Sequence, residues 1–269
     1  MQGGLDKAIV FASGGGTSAA IAATPKPLLP LDDSGYLTFL DWQLRCLAAH
    51  GVREIYLVGS PATYGARVPA MDRIQATWLM NDAPAEQSGT GHALYVALAS
   101  DRRILDGRSR VVVMDADIVY DPRLLTEITH AGQRDGRPRS KSLVCARHRQ
   151  TADEMLLFAD SRGTPRLQGK GLWSTYLVRQ MQCLGKATGI LLAERDDHAL
   201  WLAAVDWCMQ YSTAGTLSSH EDVTQRLMFV GSIDGVVFED DRRFSRCETA
   251  EDYEFIRREM IPRWKPSLP

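Results

Sequence analysis

The segment Lys7-Ala-Ile-Val-Phe-Ala-Ser-Gly14-Gly15-Gly16-Thr17-Ser18 constrains the fold more than any other part of the chain. Its apolar run, residues 8–12, reads as a buried strand. Three glycines then let the backbone turn sharply with its N–H groups facing outward. Amides presented in this way can hold phosphate, because no Cβ keeps the anion at a distance. Lys26, set between prolines in Thr24-Pro25-Lys26-Pro27-Leu28-Leu29-Pro30, brings a positive charge to the same place. Together these features read as a nucleotide site.

The first half continues the pattern of strand and helix. Residues 37–50 carry apolar side chains at helical spacing (Leu37, Leu40, Leu44, Leu47, Ala48), and Gly51 ends that helix. Strands are expected at Glu54–Gly59, Gln75–Met80 and 110–116, and helices at 91–105 and 122–131. Such alternation implies βαβ units and a mostly parallel sheet covered on both faces. The expected fold class is therefore α/β, a Rossmann-like three-layer α/β/α arrangement. Residues 134–142 turn to Gly, Arg, Pro and Ser and read as a loop. A strand at 143–146 and a hairpin of 156–160 and 165–168 follow. Helices at 199–211 and 223–229, a strand at 236–239 and a terminal helix at 250–260 complete the pattern. A single domain is expected over 1–269, with a nucleotide-binding half (1–135) and an acceptor-binding half (136–269).

Charge and composition narrow the partners. A net charge of −2 argues against a general nucleic-acid binder. No apolar stretch reaches the length of a membrane span, and no basic segment leads into a signal-type core. Cys46, Cys145, Cys183, Cys208 and Cys247 are scattered singly, which suits reduced, buried thiols and a cytoplasmic location.

Two further stretches carry chemistry. Val111-Val-Val-Met-Asp115-Ala-Asp117 places two carboxylates where a buried strand emerges, both projecting to one side. Hard oxygen ligands beside a phosphate site suit Mg²⁺, which takes one or two carboxylates plus substrate phosphates. The plainer alternative is that one of them caps the helix beginning near Pro122. In the second stretch, Glu86-Gln87-Ser88-Gly89-Thr90-Gly91-His92-Ala93, Gly89 and Thr90 open a helix whose free N–H groups can hold an anion or a base edge. A simple helix cap is the alternative there.

With these stretches in order, the chain resembles the nucleotidyltransferases that activate small phosphorylated metabolites with a nucleoside triphosphate. The family's opening pattern looks like Ala12-Ser13-Gly14-Gly15-Gly16-Thr17-Ser18 and Pro25-Lys26, and its Gly-Asp metal motif looks like Ala116-Asp117. Gly89-Thr90-Gly91-His92-Ala93 is similar to the N-acetylglucosamine-1-phosphate uridylyltransferases. The second half is similar to the phosphocholine cytidylyltransferase branch through Asp153-Glu154-Met155, Gly169-Lys170, Gly189-Ile190, Glu221-Asp222 and Cys247-Glu248-Thr249-Ala250-Glu251-Asp252. Two positions depart from the family: Ser18 replaces an arginine that contacts the triphosphate, and Pro84 replaces a glutamine that reads uracil.

The resemblance implies an Mg²⁺-dependent transfer of a nucleotidyl group, CMP from CTP first, to a phosphate or phosphonate, with pyrophosphate leaving. It implies that Ala12, Ser13 and Gly14 to Ser18 cradle the triphosphate and that Lys26 neutralises phosphate charge. Gln87, Gly89, Thr90 and Asp115 join the nucleotide site, and Asp117 and Glu248 hold the metal. Glu154, Lys170 and Glu221 form the acceptor pocket, their alternative being solvated surface charge. Trp173, Tyr176 and Trp201 are available to cage a trimethylammonium acceptor. A homodimer is compatible with the family. Three other readings stay open: a sugar-1-phosphate nucleotidyltransferase using UTP or dTTP, an Asp-x-Asp glycosyltransferase, and a catalytically silent nucleotide-binding module.

Overall fold

The computed structural model describes residues 4–13, 24–71, 74–83, 89–100, 103–132, 136–148, 152–212 and 219–265. Its strands are β1 (Lys7–Phe11), β2 (Glu54–Gly59), β3 (Gln75–Met80), β4 (Val111–Asp115), β5 (Ile118–Tyr120) and β6 (Ser140–Cys145), then β7 (Leu156–Ala159), β8 (Pro165–Gly169), β9 (Gln182–Ala193), β10 (Ile233–Phe238) and β11 (Phe244–Arg246). Its helices are α1 (Phe39–Ala49), α2 (Thr90–Ala99), α3 (Arg123–His130), α4 (His198–Tyr211), α5 (His220–Phe229), α6 (Ala250–Phe255) and α7 (Ile261–Trp264), the last two joined by a π turn, Ile256–Met260.

Strands run in the order β10-β6-β9-β4-β1-β2-β3, and the β7–β8 hairpin joins through β9. β10–β6, β4–β1, β1–β2 and β2–β3 are parallel, and β9 alone in this row runs against its neighbours. β5 and β11 form a separate antiparallel ribbon. The expected α/β class with a mostly parallel sheet is what the chain adopts.

Alternate side chains of the central strands enter opposite layers. Ala8, Val10, Val112 and Met114 pack with α1, α3 and the C-terminal helices, while Ile9, Phe11, Val111 and Val113 pack with α2, α4 and α5. Both faces are apolar, so these strands lack polar alternation. Among the described residues no helix is long and apolar enough to cross a membrane.

Several boundaries differ from the sequence expectation, each for a local reason. Helix α1 starts at Phe39, because Thr38 and Asp41 close a capping box there. Helix α2 ends at Ala99, where Ser100 turns extended, so Ile104 and Leu105 lie outside it. β6 begins at Ser140, inside the stretch expected as loop. Its polar residues are buried with partners: Ser140 accepts from Trp201 Nε1 at 2.9 Å and bonds Asp197. The residue pattern assigned no strand to 182–193, where β9 lies. Leu184, Ala187, Ile190, Leu191 and Leu192 show neither regular alternation nor the length of a usual buried strand. Trp201 is fully buried and bonded to Ser140, which removes it from any cage at the surface.

Candidate functional site

The site gathers at the carboxyl ends of β1 and β4, where ligands of open α/β sheets bind. Register places Phe11 beside Asp115. Ala12 N–H donates to Val58 O at 2.8 Å, and Ala116 N–H to Phe11 O at 3.1 Å. The strand therefore ends with Ala12 and the buried Ser13 next to the acidic pair. Gly14, Gly15, Gly16, Thr17, Ser18 and Gln87 lie outside the described residues.

The small ribbon brings the end of the chain to the same point. β11 pairs with β5 so that Arg246 faces Ile118, and Cys247 N–H donates to Asp117 O at 3.0 Å. Glu248, exposed, follows directly, and a second capping box (Thr249 with Asp252) starts α6 behind it. Buried Gln43 of α1 donates from Nε2 to Ile118 O at 2.5 Å and so fixes β5. Lys26 opens a 3₁₀ turn, Lys26–Leu28, stiffened by Pro25 and Pro27. Tyr253 Oη donates to Pro30 O at 2.5 Å, tying this segment to α6.

Positive and negative groups alternate across the site. Lys26 Nζ lies 3.8 Å from Asp117 Oδ2, and Arg246 Nη2 lies 2.5 Å from Asp115 Oδ2. The same guanidinium nitrogen reaches Thr188 O at 3.3 Å. Burial raises the Asp117 pKa and the neighbouring Asp115 charge adds to this, while Arg246 and Lys26 pull the other way. Burial opposes the charge on Arg246, yet Asp115, Asp117, Glu221 and Glu248 outweigh it and raise its pKa. Gly189 makes the packing of this pair feasible. With φ +81°, it lies where an added Cβ would fall 2.5 Å from both Arg246 Nη2 and Asp115 Oδ2.

Neither member of the acidic pair caps α3; Asp121 does the local work there, accepting from Arg123 N–H at 3.0 Å. Thr90 Oγ1 faces His220, 2.9 Å from its Nδ1 and 3.2 Å from its N–H, and so joins the starts of α2 and α5. Gly89 stands just before α2 in extended conformation. Of the acceptor candidates, Glu154 pairs with Lys186 at 3.6 Å, and its Oε2 is buried without a hydrogen-bond partner. Glu221 lies 3.5 Å from His220 Nδ1 and belongs to the field around Arg246. Lys170 is exposed just beyond β8, with Trp173 and Tyr176 exposed nearby in sequence. Sequence reasoning missed Arg246, His220 and Lys186. A signal existed only for Arg246, which directly precedes the late acidic motif.

Asp115 is 3% exposed and its Oδ1 has no hydrogen-bond partner among the described residues. An orphaned carboxylate oxygen in the acidic pair fits a hard divalent ion, which needs few protein ligands when phosphates complete its shell. Among the described residues no three acidic, histidine or cysteine side chains cluster closely enough to hold a metal by themselves.

Comparison with known proteins identifies the family and the fold. The model of the MobA-like NTP transferase domain matches residues 8–174, and the chain belongs to that family of nucleotidyltransferases. No curated protein sequence matches it significantly. The solved structure of the inositol-1-phosphate CTP transferase from T. maritima shares its fold, with a TM-score of 0.65 and 15% identity over 95% of this chain and 96% of that one.

Proposed function

We propose that the protein transfers a cytidylyl group from CTP to a phosphate or phosphonate oxygen of a small metabolite and releases pyrophosphate. The observation that carries this reading is the row Lys26, Asp117, Arg246, Asp115 at the strand ends, beside the end of β1. The choice of CTP is supported by a structural neighbour that is a CTP transferase and by the likeness of the second half to cytidylyltransferases. Pro84, in place of a uracil-reading glutamine, favours the same nucleotide.

In this reaction an acceptor oxygen attacks the α-phosphorus in line, that P–O bond forms, and the bond to pyrophosphate breaks. Two anions must meet, so positioning and charge neutralisation dominate. Residues 12–18 and Lys26 hold the triphosphate, and Gln87, Gly89 and Thr90 approach the base and ribose. Asp117 and Glu248, with Asp115 beside them, would hold Mg²⁺, whose chemistry there is to neutralise phosphate charge. Lys186 with Glu154, Lys170 and Glu221 meet the acceptor. One catalytic domain in the cytoplasm, with residues 1–135 holding nucleotide and 136–269 holding acceptor, completes the proposal.

Pyrophosphate release from CTP, UTP, dTTP, ATP and GTP, each with a panel of phosphorylated acceptors, tests it. CTP should exceed the others by tenfold or more. Turnover confined to UTP or dTTP with a sugar 1-phosphate would replace it with the sugar-type reading, which the Gly89–Ala93 wording favours.

A further inference from the structure

The geometry points to Arg246 as a tethered counter-cation that occupies the divalent-ion position in the nucleotide-free protein and yields it when metal and nucleotide arrive together. The inference rests on the nucleotidyl-transfer reading of the same site. Four carboxylates, Asp115, Asp117, Glu221 and Glu248, act on this one guanidinium, and its side chain is only 23% exposed. It takes Asp115 Oδ2 and leaves the buried Oδ1 without a hydrogen-bond partner among the described residues, so the carboxylate keeps acceptor capacity that the guanidinium does not use. Thr188 O and the missing Cβ of Gly189 hold the guanidinium in that position.

A divalent ion alone must therefore displace a charge that cannot diffuse away, and must shed water to do so. A metal–nucleotide complex offers Arg246 new acceptors, since a guanidinium pairs with phosphate as readily as with carboxylate. Ion and nucleotide should consequently bind cooperatively, each favouring the other by the same factor.

Mn²⁺ binding to the nucleotide-free protein, followed by loss of the free-ion paramagnetic resonance signal, tests this. Arg246→Met should bind Mn²⁺ about tenfold or more tightly than the unmodified protein, and Arg246→Lys should fall between them. CTP should strengthen Mn²⁺ binding in the unmodified protein and much less in Arg246→Met. Equal or weaker Mn²⁺ binding by a folded Arg246→Met overturns the inference. If the methionine variant does not fold, affinity of Arg246→Lys equal to that of the unmodified protein overturns it instead. Tighter Mn²⁺ binding without pyrophosphate release from any nucleotide would sink the proposed activity and leave the role of Arg246 standing.

Discussion

Lys26 Nζ stands 3.8 Å from Asp117 Oδ2, joining a proline-stiffened turn near the start of the chain to the bend between β4 and β5. Neither group is fully exposed, so the pair sets the charge of the site before any substrate enters. Lys26→Ala should lower kcat/KM by roughly two or more orders of magnitude, the scale of losing one electrostatic stabiliser. Near-normal pyrophosphate release from the variant would remove Lys26 from the catalytic machinery.

Burial and the Asp115 charge both press against the ionised form of Asp117 and raise its pKa. Neutralising it relieves that pressure, so Asp117→Asn should melt at or above the temperature of the unmodified protein while losing metal-dependent turnover. Thermal melts and a metal titration of activity check both halves. Unchanged activity and metal dependence would place the metal elsewhere.

Gly189 and Gly231 form a matched pair, because both have positive φ but only Gly189 is crowded. Gly231→Ala should cost about 1–2 kcal/mol, the strain of a left-handed alanine. Gly189→Ala adds a clash with Arg246 and Asp115 and should cost roughly 3 kcal/mol or more. Urea denaturation of the two variants, with similar losses for both, would show that the Arg246–Asp115 pair can step aside.

Stability should decline in acid in two stages. Burial pushes the His198 imidazole down, and its Nδ1 accepts from Gly107 N–H at 2.9 Å. The unfolded ring takes a proton near pH 6.5 and the folded ring at lower pH, so stability present above about 6.5 falls as pH drops through the folded value. Burial opposes the Asp106 charge, but hydrogen bonds from Lys7 Nζ, the Arg108 and Ser109 amides and Ser109 Oγ hold its carboxyl below the usual range. That contribution is present above about pH 4 and is lost as pH falls further. Denaturation midpoints measured from pH 7 to pH 3 should show both stages. His198→Asn should flatten the upper one and Asp106→Asn the lower; a variant with the unmodified profile would exclude its group.

Local chemistry made much of the sheet readable. Ile9 and Val10 announce a strand because each faces an apolar layer, and Asp115 and Asp117 are visible as a pair because only Ala116 separates them. Residue pattern did not show β9, of which only the Gly189-Ile190 strand came through the resemblance, since its reversed direction and length follow from filling the gap between β4 and β6. Ser140 and Lys141 looked like loop because their partners, Asp197 and Glu194, come from a distant segment.

The α/β class, and Lys26 and the acidic pair as candidates, were therefore legible in the sequence alone. Each depends on propensity, spacing or turn chemistry within a few residues. Only the tertiary structure decided that Arg246 sits on Asp115, that Thr90 faces His220, and that Gly189 leaves room for the ion pair. Strand order and register bring these groups together from remote parts of the chain, and no local pattern carries that information.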